Sequence, residues 1–351
     1  MMNPRYFLYT LFLCMASTLV TSCEHRELTD PTDAHYIRVY MEEEIKNVTC
    51  GFYNESYEHP EYRRPLSMLA CLADANTGEI IREGLLKNQG NDERGYYIDG
   101  YIGAPDGKYN LLIYQMGSPV TLINQTNDYY SINAYTKHVS ERVLSYLTQT
   151  SKVLGSDRIM QEPEHIMVGR CNNISIKASR GTDTLRNADG DYFTAKSIAK
   201  SYYLQLRITG VQWIRSAAAV LSGMAGSSLM CKEDGMNEDD PVNLYFPMLY
   251  SGKVQRVTDE KSVEVLYATF TTFGKIPDIT SELTLNFEFS KSDGTTQVET
   301  VDLTETFKTP LAIENQWLLL DKQISISKPI GTGGMDPEVD GWKDLEADLP
   351  M

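Results

Sequence analysis

The chain has 351 residues, of which 42% are hydrophobic and 23% are charged, and these proportions are ordinary for a globular protein. A chain of this length has room for two domains. Its formal net charge of −16 argues against nucleic acid as a partner, because binding to phosphate groups requires clustered Lys and Arg side chains.

The first 22 residues have the layout of a secretory signal, so we predict a signal peptide over residues 1–22. Arg5 supplies the positive start, an apolar run continues to Val20, and small residues follow. This run is too short to span a bilayer comfortably as a helix. Leu19 to Cys23 resemble the lipobox of bacterial lipoproteins, in which the cysteine becomes the lipidated N-terminus.

We therefore predict that the thiol of Cys23 carries a diacylglycerol and that the new N-terminus is acylated, which makes outer-membrane lipid a partner of the chain. Several acyl chains anchor a protein stably where a single chain would not. The alternative is a plain cleaved signal with an incidental cysteine. Residues 23–33 are polar and contain Pro31, which predicts a flexible lipidated tether. Acidic residues just after Cys23 resemble the surface-export signal of Bacteroidota lipoproteins and favour a lipid-anchored location at the cell surface.

Apolar and polar side chains alternate through most of the remaining sequence, and this period of two is typical of half-buried strands. Asp293-Gly294 supplies hairpin turn chemistry, because such turns need positive φ. Many short strands with few helical stretches predict a mainly β fold built of sandwiches. The clearest one-sided apolar sets are Ile37, Val39 and Met41; Tyr109, Leu111 and Ile113; Tyr202, Leu204, Leu206 and Ile208; and Leu283, Leu285, Phe287 and Phe289.

One connecting helix is predicted within residues 133–153, where Val139, Val143, Leu144 and Leu147 fall at helical spacing. The run from Ala217 to Leu221 is compatible with either a helix or a strand.

No Pro/Gly/Ser linker marks a boundary between domains. We place the division near residues 163–170, which gives an N-terminal domain over 34–165 and a C-terminal domain over 166–330. Residues 331–351 form a predicted acidic tail.

Catalytic and cofactor motifs are missing from the sequence. It contains no nucleophile elbow, no phosphate-binding glycine loop, and no histidine with a partner four residues on. The segment from Asp336 to Ala347 has the early oxygen ligands of a calcium loop, but position twelve is Ala347 instead of the closing Glu. We therefore predict no enzymatic activity, no metal and no cofactor.

Exported proteins can be O-glycosylated and can form disulfides, and the sequence offers candidate residues for both. Asp183-Thr184-Leu185 resembles the acceptor for O-glycosylation in Bacteroidota, which makes Thr184 a candidate site. Four cysteines lie beyond Cys23, and an exported location permits disulfides. They allow three pairings, and the alternative is that all four are small buried hydrophobes. These cysteines are Cys50, Cys71, Cys171 and Cys231.

The second half of the chain resembles the fimbrillin-like lipoproteins of the Bacteroidales. The segments that carry the resemblance are 203–226, Phe270-Thr-Thr-Phe-Gly274, Leu283-Thr-Leu-Asn-Phe-Glu-Phe289, Val301-Asp-Leu-Thr304 and Gly334-Met-Asp-Pro-Glu-Val-Asp-Gly-Trp342. The resemblance implies two transthyretin-like β-sandwich domains in series, with other fimbrial subunits as partners. It also implies that polymerising subunits lose an N-terminal strand to a protease, which opens a groove for the next subunit's strand.

This chain shows no clear Arg cleavage site after Cys23, because Arg26 is too close to the lipid and Arg38 lies within the first predicted strand. The sequence therefore favours a fimbrial anchor or accessory subunit that binds its neighbours by β-strand addition. The alternative is a surface lipoprotein that binds a glycan, for which runs such as Tyr96-Tyr97 and Tyr129-Tyr130 would supply an aromatic platform.

Overall fold

The structure is a computed structural model that describes residues 34–42, 47–49, 56–58, 63–147, 149–155, 158–177, 183–256, 260–276 and 283–329. Over these residues the chain is built mainly of strands, in two large sheets and two small ones. The predicted mainly β fold is therefore confirmed.

Fourteen strands precede residue 198. They are β1 (Ala34–Met41), β2 (Asn47–Thr49), β3 (Ser56–Glu58), β4 (Met68–Asp74), β5 (Ile80–Leu86), β6 (Asn88–Asp92), β7 (Gly95–Gly103), β8 (Gly107–Gln115), β9 (Thr121–Asn124), β10 (Asn133–Thr136), β11 (Ile159–Gln161), β12 (Met167–Ile176), β13 (Asp183–Thr184) and β14 (Phe193–Ser197). Nine of them form the first large sheet, in the order β5-β4-β8-β12-β14-β1-β7-β6 with β13 beside β1. Strands β2 and β3 form a separate pair.

This sheet folds over on itself, and two glycines permit the closure. A Cβ atom at Gly84 of β5 would lie 2.9 Å from the backbone oxygen of Tyr101 in β7. A Cβ atom at Gly100 would lie 3.1 Å from the Cα atom of Leu86. Because neither glycine has a side chain, β5 and β7 can cross closely and enclose a core. Ile37, Val39 and Met41 point into this core, as their alternation predicts.

Eight further strands complete the described chain. They are β15 (Lys200–Thr209), β16 (Ile214–Ala225), β17 (Ser227–Leu229), β18 (Pro241–Gln255), β19 (Ser262–Thr272), β20 (Thr284–Lys291), β21 (Thr296–Asp302) and β22 (Trp317–Ser325). The second large sheet has the order β21-β20-β16-β18-β19-β15-β22, with β11 paired in parallel to β18. Strand β17 joins β10 and β9 in a small three-stranded sheet.

The long strand β18 makes the second sheet into a sandwich. Its residues 241–248 pair with β16, and its residues 249–255 pair with β19 on the other layer. A bulge at Tyr250 to Gly252, where Gly252 has a φ of 92°, turns the strand between the two layers. The inward faces of both layers build one large apolar core, which includes Phe246, Phe270 and Phe287.

The predicted helix at residues 133–153 is wrong at its start. Asn133–Thr136 is strand β10, which pairs on both sides with β9 and β17. Helix α1 (Glu141–Tyr146) begins later, where the Ser140 hydroxyl accepts from the Val143 N–H, and helix α2 (Thr150–Leu154) follows. A third helix, α3 (Pro310–Asn315), precedes β22.

The open alternative at Ala217 to Leu221 is decided in favour of a strand. The segment lies in β16, between β20 and β18, and its side chains are buried. Pairing on both sides therefore outweighs the helical propensity of three consecutive alanines. Gly223, with a φ of 85°, permits the register shift that follows.

The predicted domain division at residue 165 stays a prediction, and strand pairing crosses that residue in both directions. Strands β12 and β14 follow that point and still belong to the first sheet, whereas β11 precedes it and pairs with β18 of the second. Sheet membership changes between Ser197 and Lys200. Alternation shows which face of a strand is buried, but it does not show which sheet the strand joins.

A buried apolar cluster connects the two sandwiches. It contains side chains of the first sheet such as Leu112 and Val168, of the small sheet such as Ala134, and of the second half such as Ala225 and Phe273. The two large sheets therefore share a packed boundary.

Candidate interaction surfaces

The predicted lipid-attachment residue, Cys23, and the predicted tail at 331–351 lie outside the described residues. Thr184 lies in β13, where its backbone is opposite Tyr36 of β1, and its side chain is exposed. The hydroxyl of Thr184 is thus accessible, and O-glycosylation there stays a prediction.

The described cysteines Cys71, Cys171 and Cys231 all carry free thiols, and Cys50 lies outside the described residues. Cys71 is fully buried, with its Sγ atom 3.9 Å from the Tyr114 hydroxyl and 3.9 Å from Glu83 Oε1. Burial first, and the negative charge of Glu83 second, raise the pKa of the Cys71 thiol to about 12. A thiol in this state is an inert packing group.

The first strand is held on both sides in the centre of its sheet. Seven successive residues of β1, from Ala34 to Tyr40, pair antiparallel with β7. On the other side Val39 to Met41 pair in parallel with β14. Strand β1 is therefore an integral member of the sandwich.

Arg38 on the outer face of β1 is enclosed by aromatic rings and carboxylates. Its Cζ atom lies 3.8 Å from the ring centroid of Tyr97 and 5.3 Å from that of Tyr192. Its Nη1 atom donates to Asp92 Oδ2 at 3.3 Å, and its Nη2 atom donates to Asp99 Oδ2 at 3.4 Å. A half-buried guanidinium stacked on a tyrosine and paired with two carboxylates holds strands β1, β6 and β7 together.

Tyr36 completes this group. Its hydroxyl donates to Asp99 Oδ2 at 2.5 Å and accepts from the Nε atom of Arg38 at 3.0 Å. Burial and the hydrogen bond to Asp99 raise the pKa of Tyr36 to about 12. We call Tyr36, Arg38, Asp92, Tyr97 and Asp99 the β1 clasp.

A cleft of about 990 Å³ lies where α1, the segment after β11 and the segment before β4 approach each other. Arg63, Arg64 and Leu66 line one part of it, and Glu162 and Glu164 line another. Leu66 is 72% exposed at this opening. The cleft has the size of a ligand pocket and carries both signs of charge.

His165 at the edge of this cleft connects the two sandwiches. Its Nδ1 atom lies 2.7 Å from Ser197 Oγ, and its Nε2 atom lies 2.8 Å from Ser201 Oγ. Ser197 Oγ donates to the Ala199 carbonyl, so Nδ1 of His165 donates to Ser197 Oγ. Ser201 Oγ is in turn 3.1 Å from Thr271 Oγ1 of β19. In a catalytic triad an acidic side chain orients the histidine, whereas here His165 lies between two serines. Ser201 is also buried. We therefore interpret the network as a contact that positions the two sheets.

The free edges of the two large sheets differ in character. Strands β6 and β21 are mostly polar, which discourages pairing with another chain. Strand β22 begins with Trp317-Leu-Leu-Leu320 and, among the strands that the structure describes, pairs only with β15. It is the most apolar of these three edge strands.

The hydrogen bonds at the ends of β22 show which of its backbone groups face outward. The Gln316 carbonyl accepts from the Tyr203 N–H, so residues 316, 318 and 320 face β15 and Leu319 faces away. Beyond the bulge at residues 321–322, the outward Ser325 carbonyl accepts from Gln297 Nε2 at 2.9 Å. The Gln297 side chain therefore covers one end of the edge, whereas Leu319 lies at the other.

The two tyrosine pairs considered as a glycan platform divide between core and surface. Tyr96 points into the first core and Tyr97 stacks on Arg38 in the β1 clasp. Tyr129 is buried, whereas Tyr130 is 50% exposed beside a small pocket. Tyr130 is thus an exposed ring among the tyrosines that the sequence analysis named. The asparagines beside it could not be recognised from the sequence, because no motif marks them.

Within the described ranges, no group of three or more His, Cys, Asp or Glu side chains is arranged to hold a metal ion. None of the helices in the same part of the chain has the length and apolar character needed to cross a bilayer.

Sequence and structure comparisons give consistent relatives. A family model described as "Domain of unknown function (DUF5119)" matches residues 87–246. A protein of Bacteroides ovatus named "Putative fimbrium anchoring subunit Fim4B" is 21% identical over 276 residues, which cover 69% of this chain and 74% of that protein.

The architecture is shared with a solved structure. The crystal structure titled as a "putative adhesin" from Bacteroides ovatus has a TM-score of 0.57 at 18% identity, and the match covers 89% of this chain and 99% of that one. The fimbrial anchor protein Mfa2 of Porphyromonas gingivalis has a TM-score of 0.47 at 13% identity, with 83% and 90% covered. The resemblance to fimbrillin-like proteins of the Bacteroidales, predicted from the strand and turn pattern, is confirmed by these matches.

Proposed function

We propose that this chain is a fimbrial anchor or accessory subunit, attached to the outer membrane at the cell surface through an acylated Cys23. The sequence match to a Bacteroides ovatus protein named as a fimbrium anchoring subunit supports the fimbrial role. The signal, lipobox and polar tether at the N-terminus support the attachment. Its partners are other fimbrial subunits.

One structural observation supports a base or accessory position over a place in the shaft. Strand β1 is paired on both sides, and its single arginine, Arg38, is enclosed in the β1 clasp. A protease that releases a leading strand needs an accessible, unpaired segment around its arginine. In this chain β1 stays in the sheet and fills the groove that its loss would open.

A neighbouring subunit would then bind at another edge. We propose the Trp317–Leu320 half of β22, because the outward N–H and C=O of Leu319 can pair with an added strand. Backbone hydrogen bonds to Leu319 would position the added strand, because the Trp317, Leu318 and Leu320 side chains are already buried in the protein. The other half of β22, near Ser325, is less suited to pairing with an added strand, because Gln297 Nε2 already donates to the outward Ser325 carbonyl.

The experiment is to purify fimbriae from cells that carry Leu319→Pro. Proline removes the outward N–H of Leu319 without removing a hydrogen bond to β15, so the fold should persist. We expect the variant to reach the membrane in normal amounts but to lose its fimbrial subunits during co-purification.

The matched control is Val298→Pro on the polar edge strand β21, which is not proposed to bind a neighbour. Each variant is first checked for an unchanged circular dichroism spectrum and melting temperature. Wild-type co-purification by folded Leu319→Pro would overturn strand addition at β22. Absence of fimbrial subunits from the wild-type preparation would overturn the fimbrial role itself.

A further inference from the structure

A small polar pocket lies beside the boundary of the two sandwiches, apart from β22 and from the β1 clasp. Its volume is about 270 Å³, just below the usual range of pockets for drug-sized ligands, so it has room for one small ring. Three asparagines, two tyrosines and a lysine dominate its lining. They are Asn110, Asn172, Asn173, Tyr129, Tyr130 and Lys232.

A β-bulge brings the three asparagines together. Strand β12 pairs with β8 up to Cys171 opposite Leu111 and resumes at Ile174 opposite Tyr109. Asn172 and Asn173 therefore both oppose the single residue Asn110. Asn173 has a φ of 58°, in the left-handed region that a non-glycine residue seldom occupies. Bulges and such backbone positions are frequent at binding sites, because they redirect side chains.

The buried Asn110 fixes this arrangement from below. Its Oδ1 atom accepts from the Asn173 N–H at 3.1 Å, and its Nδ2 atom donates to the Tyr130 hydroxyl at 3.4 Å. The Tyr129 hydroxyl donates to Asn172 Oδ1 at 2.8 Å. The pocket wall is therefore built by hydrogen bonds within the protein before any ligand binds.

Several polar groups remain available at the pocket. Among the described residues, the Asn173 side-chain amide, the Asn172 Nδ2 atom and the Lys232 ammonium have no hydrogen-bond partner. Asn172, Asn173 and Lys232 are all exposed. The pocket thus offers amide donors, an amide acceptor and an ammonium donor within one small volume.

An aromatic ring is held at the same place. Tyr130 is 50% exposed, and its ring packs edge-to-face on Tyr129 with centroids 5.2 Å apart. The ring also lies against Gly78, where an added Cβ atom would lie 2.6 Å from Tyr130 Cε2. Gly78 therefore lets the ring lie flat against the backbone, and its φ of 79° also favours glycine.

We propose that this pocket binds a single sugar ring of a glycan chain. A sugar presents hydroxyl groups that both donate and accept, and amide side chains match them without requiring a net charge. Its C–H faces are apolar enough to stack on an exposed tyrosine, which supplies a rigid surface with a polar edge. An elongated glycan would extend from the pocket into solvent. This binding is separate from the fimbrial role and from β22.

The experiment measures the full chain, purified without its signal, on a glycan array and then titrates the best neutral oligosaccharide by calorimetry. Three variants test the pocket: Asn173→Gly, Tyr130→Ala and Lys232→Gln. Asn173→Gly removes the amide but suits the positive φ, so the bulge is retained. We expect each of the first two to weaken binding at least tenfold, and Lys232→Gln to weaken it less.

The matched control is Tyr101→Ala, which removes a tyrosine that is 53% exposed and does not line the pocket. Its affinity should equal that of the unchanged protein. An array without any glycan signal would overturn the proposal. So would equal affinity of the folded Asn173→Gly and Tyr130→Ala variants, or an equal loss in Tyr101→Ala.

Discussion

At the scale of single residues, burial controls the acid–base behaviour of Cys71 and Tyr36. The neutral thiol of Cys71 is favoured because it lies fully buried beside Glu83, which raises its pKa from 9.0 to about 12. The Tyr36 hydroxyl has its pKa raised from 10.0 to about 12 by burial and by the bond to Asp99. Both groups therefore stabilise the folded state only while they keep their protons.

The sign of the pH dependence follows from these raised values. Below pH 9 both groups are protonated in the folded and unfolded chain, so their contribution is complete. As the pH rises toward 12, the unfolded chain releases protons first and stability falls. We expect the free energy of unfolding in urea to decrease from pH 9 to 12, and to decrease less steeply in a Cys71→Ala/Tyr36→Phe variant. Equal slopes would contradict the assignment.

Arg38 shows why a residue's role can escape a reading of the sequence. Its position within a strand was predictable from the alternation of Ile37, Val39 and Met41. Its partners were not, because Asp92 and Asp99 lie 54 and 61 residues further along the chain. The same applies to the small pocket beside Tyr130, whose asparagines meet through the register shift in β12. Local patterns determine the face of a strand, whereas pairing between distant strands determines its neighbours.

At the scale of elements, the proposed role as an anchor or accessory subunit requires strand β1 to stay paired in the first sheet. Trypsin cleaves after arginine, but only in chains where the segment has opened, so the cleavage rate reports the population of open β1. The stacked Tyr97 ring contributes about 1–2 kcal/mol through its contact with the guanidinium. We expect Tyr97→Leu to raise cleavage after Arg38 about 5–30-fold under native conditions, as followed by mass spectrometry.

Tyr101→Leu provides the comparison for this measurement. Tyr101 lies on the same face of β7 and packs on Tyr36 at 5.5 Å, but it does not stack on Arg38. Its cleavage rate should remain close to that of the unchanged protein. If both variants are cut equally fast, the clasp has no special part in holding β1.

The correspondence between sequence and fold also differs among elements. The strands around Leu204 and Phe287 were predictable, because their alternation places one face in the second core. Helix α1 was predictable only from Ser140 onward, where the spacing of Val143 and Leu147 begins to matter. The strand at Asn133–Thr136 was not, since its pairing with β17 depends on residues almost a hundred positions away.

At the scale of the whole molecule, the two sandwiches behave as one packed unit at their boundary. Apolar side chains from both large sheets bury one another, and the hydrogen-bonded chain through His165 connects Ser197 with Thr271. A packed boundary would suit the proposed fimbrial anchor, because tension applied near β22 would pass to the N-terminal sandwich and to the proposed tether. The connection between that tether and the membrane is then the decisive element.

Attachment through Cys23 predicts two separate outcomes. Cells grown with labelled palmitate should incorporate label into the chain, and Cys23→Ala should abolish that label, because the diacylglycerol is bound through the thiol. Cys23→Ala can also leave the apolar signal uncut and membrane-bound, so location needs a second variant. In that variant residues 1–23 are replaced by a plain cleavable secretory signal.

The released protein should appear in the soluble periplasmic fraction, because the tether from residue 24 onward is polar. The control carries the same foreign signal with Leu19 to Cys23 retained, and it should return to the outer membrane. Membrane association of the fully exchanged variant, or palmitate label that persists in Cys23→Ala, would show that another part of the chain provides the anchor.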